Sequence, residues 1–553
     1  MRKSSTVRLM RRCVVAAGLA LVCCVAVLAQ QPASGAAYRI LYELKMPQPA
    51  THLFEVRITV ETQTPQAAIS FQMPRWSPGR YAVFDFAKNV REAYALPDCA
   101  AGARCDAAGV RPTRVDTQTW RVPLDGAQKV VFSYKVFADD LSGTFSQLNE
   151  RHANFNGGSI FMYVVGHKPD PVTLSIETPP GWRAVNGRML RAEQREWQFA
   201  NYDLLIDTPT EIGPDWTEDV FQVDGKSYHI VLHALSGDAD KRKALVRDLE
   251  KIVRAEVGMW GAPEFSDYTF LIHTGAARGD GMEHLTSTQI NVRRTLADAA
   301  GYEGVLDTAA HEFFHVWNVK RLRPVELGPW DFTQPVVTRG LFIAEGFTNY
   351  YGHLMQRRAQ LWDDKQLYGE LADEISTIEN APGRQLMSAE EASLVAPFLD
   401  AACHVQQTDL KQTSVSYYDK GEVIALVLDL LIRGRTAGRA SLDDVLRRAY
   451  REFYVESPQT TYYLRGRGYT IEEFERVATD VAGFDLTDFF ARYVRGTEPL
   501  PYNDALAHVG LRLVVTPSGQ AQRNLYRIEE IPDAAAPAKE LRRDWLKGTP
   551  PAR

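Results

Sequence analysis

The chain has 553 residues, a formal charge of −6, and 45% apolar against 24% charged residues, a composition of folded globular chains rather than disordered ones. Its length exceeds what one hydrophobic core serves, so two or three domains are expected, and the acidic balance argues against nucleic acid as a partner.

Residues 1–29 have the anatomy of a secretory signal peptide: MRKSSTVRLMRR carries five basic residues and no acid, CVVAAGLALVCCVAVLA is an unbroken apolar run, and small residues precede Gln30. Without those five cations the charge becomes about −11. The apolar run is at the short end for a bilayer span. Export to the periplasm or the extracellular medium is therefore expected, with no stable membrane insertion once the signal is removed. Cys99 and Cys105 in CAAGARC are expected to close a small disulfide loop in an oxidising compartment, leaving Cys403 a lone thiol.

From 37 to 206 the sequence runs in short alternating segments, among them YRILYELKM, LFEVRITVET, KVVFSYKVFA and VTLSIETP. These β-branched and aromatic runs, cut by Pro, Gly and Asp turns, predict an all-β sandwich. After TPTEIGPDW the register changes. ADKRKALVRDLEKIVRAEVGMWG has helical spacing, YTFLIHTG reads as a strand, and LTSTQI reads as an edge strand along which a peptide could lie by β-augmentation. From Gly304 onward nearly every long segment reads as helix. The predicted class is multidomain α+β: a β domain at 37–206, a mostly helical domain at 207–511, and a tail at 512–553 whose Pro-, Ala- and charge-rich composition from about Thr516 predicts poor packing. The basic cluster Lys320, Arg321 and Arg323 reads as a solvated helix end with ion pairs.

The chemistry concentrates in DTAAHEFFHVWNVKRLRP, residues 307–324. On a helix, a spacing of four puts His311 and His315 on one face, one turn apart, where both imidazoles reach a single tetrahedral ion. Glu312 flanks them, where a carboxylate can accept a proton from water activated by zinc. The five-residue motif is short enough to arise by chance and needs a third ligand. Glu345, in GLFIAEGFTNYYGH on the next predicted helix, is the candidate: Leu341, Phe342, Ile343 and Ala344 would bury its charge, and a cation would compensate. The competing reading of Glu345 is a surface residue favoured by the helix dipole. His353 is a rival ligand that also reads as a helix-surface residue.

HEFFHVWNVKRLRP, IAEGFTNYY and SYYDKG, preceded by GMEH and by MPRWSPGRYAVFDFAKNV, together resemble the glycyl aminopeptidase family of zinc metallopeptidases over about residues 38–511. The resemblance implies a thermolysin-like catalytic domain, one Zn2+ per chain, and hydrolysis of peptides at free amino termini, with small first residues such as Gly or Ala favoured. It makes His311, His315 and Glu345 the metal ligands and Glu312 the general base. Tyr418 resembles a tyrosine that points at the oxyanion, with Tyr417 beside it as a competitor. Glu283, with Gly281 and Met282, resembles the segment that holds a substrate's α-ammonium. Asp280 stands where the family usually offers glycine; a second carboxylate there could strengthen amine binding or narrow the pocket. The family commonly ends in a PDZ domain; with about 40 residues after Leu511, none is expected. An endopeptidase of the same fold, distinguished by cleavage of N-acetylated peptides, and a non-catalytic peptide-binding protein remain as alternatives. The oligomeric state is not legible.

Overall fold

The computed structural model describes residues 37–98, 109–188, 196–234, 238–400, 412–519 and 523–548. The signal segment, Cys99, Cys105 and Cys403 lie outside the described residues. Among those described, no helix is long and apolar enough to cross a membrane.

The N-terminal part is β-rich, as its alternating pattern predicts. A six-stranded sheet is ordered Glu196–Phe199, Val172–Glu177, Arg39–Lys45, Leu53–Glu61, Lys129–Phe137, Val90–Asp98. Burial alternates along Leu53–Glu61 and Arg39–Lys45, the signature of strands with one face on a core. Phe71 of a four-stranded sheet stacks on Phe132 of the six-stranded one at 4.3 Å, so the two sheets meet face to face. Arg39–Lys45 pairs in parallel with Val172–Glu177, the one departure from antiparallel pairing in that sheet.

The second part opens on a five-stranded mixed sheet, ordered Thr217–Val223, Lys226–Ala234, Asp267–Thr274, Ser287–Val292, Asp280–Glu283. This corrects the expected edge strand. Ser287–Val292 is buried along its whole length, second from the edge, and the edge is Asp280–Glu283. Helices follow. Asp298 caps the helix Ala299–Phe314 by accepting from Ala300 N and Gly301 N, at 2.9 and 3.2 Å. The tail is also corrected. Leu511–Pro517 and Asn524–Glu530 form a hairpin, Ala536–Lys547 is a helix, and the fully buried Trp545 donates to the Tyr350 hydroxyl at 2.8 Å.

Polar contacts stitch the β-rich part to the helical part. Trp76 Nε1 donates to Asp331 O at 2.9 Å, and Tyr462 OH donates to Asp203 Oδ2 at 2.6 Å. Glu211 is buried among three histidines: His233 Nδ1 lies 2.6 Å and His152 Nδ1 3.2 Å from one carboxylate oxygen, and His273 Nε2 lies 2.8 Å from the other. All three are hydrogen-bond lengths. Burial opposes the Glu211 charge, but His152 and His273 hold its carboxyl well below the usual range.

Lys320, Arg321 and Arg323 are not solvated; they are 4%, 3% and 1% exposed. Lys320 Nζ lies 2.7 Å from Asp207 Oδ1, and Arg323 donates to Gly466 O at 3.1 Å. Asp207 Oδ2 also accepts from Leu285 N at 2.9 Å, and His284 Nδ1 lies 3.2 Å from Oδ1. The buried Lys320–Asp207 pair therefore fixes the turn that follows GMEH against the segment after HEFFH.

Candidate active site

His311 sits in the last turn of the helix Ala299–Phe314, and His315 caps it with helical φ and ψ, so the four-residue spacing keeps both rings on one face. Their Nε2 atoms lie 3.0 Å apart. His315 Nδ1 lies 2.7 Å from Asn318 O; an N–H donated there leaves the Nε2 lone pair free. Glu345 occupies a π-helical turn, Phe342–Gly346, that leads into the helix Phe347–Arg358. Its carboxylate lies 3.6 Å from His311 Nε2 and 3.3 Å from His315 Nε2. Separations of this size match the edges of a tetrahedron around an ion bonded at about 2.0–2.1 Å, so two imidazoles and a carboxylate fit a zinc ion here. Glu345 is buried, not a surface residue.

The electrostatics suit a cation. Burial works against charge on His315, yet Glu345 raises its pKa to about 9. Burial likewise opposes the Glu345 anion, and the two imidazoles still hold it well below the carboxylate range. Burial pushes Glu312 well above that range; His315 pulls it back, while Glu283 and Glu345 add to the rise.

A tyrosine from the β-rich part completes the cluster. Tyr81 donates its hydroxyl to Glu345 Oε1 at 2.5 Å, and its backbone N–H reaches Asp400 Oδ2 at 2.8 Å. Tyr81 belongs to the WSPGRY stretch that carries part of the resemblance, but a donor reaching Glu345 from a loop distant in sequence leaves no periodic signal there.

Glu283, Glu312 and His315 present ligand-type atoms within 4.8 Å of one another. Glu283 is 4% exposed, and no hydrogen bond or ion pair joins its carboxylate to another of the described residues. It lies over Gly79, where φ is +87° and a Cβ would come 2.7 Å from Glu283 Oε2. Gly281 is equally constrained, because a Cβ there would collide with Glu312 Oε1. Glycine thus lets the edge strand approach the HEFFH helix. Met282 departs from its expected role: at 1% exposure its sulfur packs against Gly79 and its Cβ against Gly143, instead of facing a cleft. Asp280 is not a spare amine-binding carboxylate either. It accepts from Asn291 Nδ2 at 2.6 Å and Gly143 N at 2.9 Å, and pairs with Arg80 at 3.4 Å. Arg80 also donates to Gly281 O at 2.7 Å, which occupies part of the strand edge that β-augmentation would need.

Ser416 caps the helix Tyr417–Thr436 by accepting from Tyr418 N and Asp419 N. Gly346 and Gly421 let this helix press on the Glu345 turn, since a Cβ on either would collide with the other segment. Tyr418 lines a cleft of about 420 Å³ together with His311, Glu312 and Gly281, with its ring centroid 6.2 Å from that of His311. Burial and Glu345 raise the Tyr418 pKa well above 10, so its phenol keeps a proton to donate. Tyr417 is buried beside it, its ring 4.7 Å from that of Tyr418 and edge-on to Tyr81 at 6.1 Å, and does not line the cleft. His353 is neither ligand nor surface residue: its Nδ1 lies 2.7 Å from Glu422, and its ring stacks on Trp362.

Residues 41–214 match the Peptidase M61 N-terminal domain, and residues 304–424 match the M61 glycyl aminopeptidase model. The chain is similar to an aminopeptidase N family protein from Idiomarina loihiensis, with 26% identity, a TM-score of 0.78, and 88% of this chain and 80% of that one covered. It is more distantly similar to an M1 zinc metallopeptidase from Deinococcus radiodurans, with 14% identity, a TM-score of 0.49, and 86% and 98% covered. No curated protein matches it. With the N-terminal and catalytic family models in order along one chain, the protein is a peptidase and belongs to the M61 glycyl aminopeptidase family.

Proposed function

We propose that the protein is a zinc-dependent aminopeptidase acting at free amino termini and favouring small first residues, with His311, His315 and Glu345 as the zinc ligands. The convergence of these three donors within 3.0–3.6 Å carries the metal reading. When bound there, zinc supplies Lewis acidity, which polarises a carbonyl and makes water nucleophilic near neutral pH. Tyr81 and Asn318 O orient the ligand side chains from behind. Glu312 takes the proton of the attacking water and passes it to the leaving amine, a role suited to a buried carboxyl whose affinity for protons is raised. Tyr418 donates its phenolic hydrogen to the carbonyl oxygen as charge develops on it.

The exopeptidase mode rests on Glu283. Glu283 is largely buried and bonded to no donor among the described residues, an environment that favours a cation beside it, and a substrate's α-ammonium is such a cation. The small-residue preference is supported by the family resemblance, and export by the apolar leader of residues 1–29. Comparing one peptide with a free and an N-acetylated amino terminus tests the mode: kcat/KM is expected to fall at least about 30-fold on acetylation. Similar rates on both would favour the endopeptidase alternative.

A further inference from the structure

The cleft that starts at His311, Glu312 and Tyr418 is also lined by three arginines: Arg80, Arg278 and Arg293. Its volume of about 420 Å³ is at the lower end of the range for small-ligand sites. Arg80 comes from the same loop as Tyr81 and is held by its Nε on Thr144 Oγ1 at 3.2 Å and its Nη2 on Gly281 O at 2.7 Å. Those bonds leave Nη1 without a hydrogen-bond partner among the described residues. Asp280 and Asp400 both act on the guanidinium, but Asp280 is shared with Asn291 and the Gly143 N–H and Asp400 also accepts from Tyr81 N, so they offset it only in part. Arg278 has a loose, half-exposed pairing with Asp140 at 3.9 Å, and Arg293 has no ion-pair partner among the described residues.

The site is therefore polarised along the edge strand Asp280–Glu283. Glu283, at one end, lies outside the cleft lining and is acidic; at the other end three arginines stand against Asp280 and Asp400, and Arg293 has no ion-pair partner among the described residues, which leaves positive charge there. Three steps along an extended strand cover about 10 Å at roughly 3.3 Å per residue. An extended tripeptide spans about the same length from its ammonium to its carboxylate. We propose that Arg80, with Arg278 and Arg293, binds a carboxylate about two residues beyond the scissile bond, which makes short peptides with free carboxyl termini the preferred substrates. The inference rests on the amino-terminal reading above, which places the ammonium at Glu283. An acidic side chain at the same distance offers the same chemistry.

The test uses peptides that all keep a free amino terminus: Gly-Ala-Ala as acid, Gly-Ala-Ala as carboxamide, and Gly-Ala-Asp as carboxamide. The wild-type enzyme is expected to prefer the acid to its amide by about tenfold or more in kcat/KM. Recovery with Gly-Ala-Asp amide would assign the recognised carboxylate to an acidic side chain as well as the terminus; no recovery would assign it to the terminus alone. In Arg80→Gln, where the amide can still donate to Gly281 O, the acid-to-amide ratio is expected to fall toward one. The double variant Arg278→Ala/Arg293→Ala, at exposed positions that do not support the fold, is expected to lower the ratio in the same direction. A wild-type ratio near one overturns the inference, as does a ratio unchanged in both variants. Because amidation leaves the ammonium untouched, such a result with intact discrimination against N-acetylated peptides would sink this inference alone.

Discussion

Glu312→Gln is expected to retain metal and fold while losing nearly all turnover, at least about a thousandfold in kcat. The amide is isosteric and keeps the contact with Gly281, where there is no space for a larger group. It cannot take a proton, and a positioned acid or base contributes about 10²–10⁴ in rate. The measurement is kcat on a small aminoacyl substrate alongside metal content and a melting curve. Near-normal turnover with metal bound would remove Glu312 from the general-base role.

Glu283→Ala is expected to cost about 30- to several-thousandfold in kcat/KM on free-amine peptides, the equivalent of roughly 2–5 kcal/mol for one partner of a desolvated charge pair. The residual activity on N-acetylated peptides should change far less, because those substrates bring no ammonium. A structural role for Glu283, which lies against Gly79 at the strand end, would instead lower both activities equally. Equal losses on both substrates, or none on either, would contradict the amine-binding role. The comparison holds the fold constant, since both substrates are read on the same protein preparation.

How much of this was legible in the sequence depends on how local each cause is. HEFFH could be placed because helix geometry alone brings residues four apart onto one face, and Glu345 because an apolar run predicted its burial. The edge strand was misplaced for an intelligible reason. LTSTQI has the β-branched content of a strand and so drew the assignment, but the strand it belongs to, Ser287–Val292, is buried along its length and lies inside the sheet; the four residues Asp280–Glu283, with glycine and aspartate, carry little strand propensity. Burial of Lys320, Arg321 and Arg323 was invisible because their partners are distant in sequence; Asp207 lies 113 positions before Lys320. Tyr81 shows the same limit, 264 positions from the Glu345 it supports. The tail misled through its composition: Pro and charge suggested poor packing, whereas Trp545 and Leu546 anchor its helix in the core.

The metal decides the roles assigned to His311, His315 and Glu345. Elemental analysis of the protein purified without added metal, beside Glu345→Ala prepared identically, reads it directly. The expected result is about one zinc per wild-type chain, activity abolished by a strong chelator and restored by zinc, and a large loss of zinc in Glu345→Ala, because removing one of three protein ligands leaves two imidazoles to hold the ion. Peptidase activity in metal-free protein, or full zinc occupancy in Glu345→Ala, would contradict the assignment of His311, His315 and Glu345 as the zinc site.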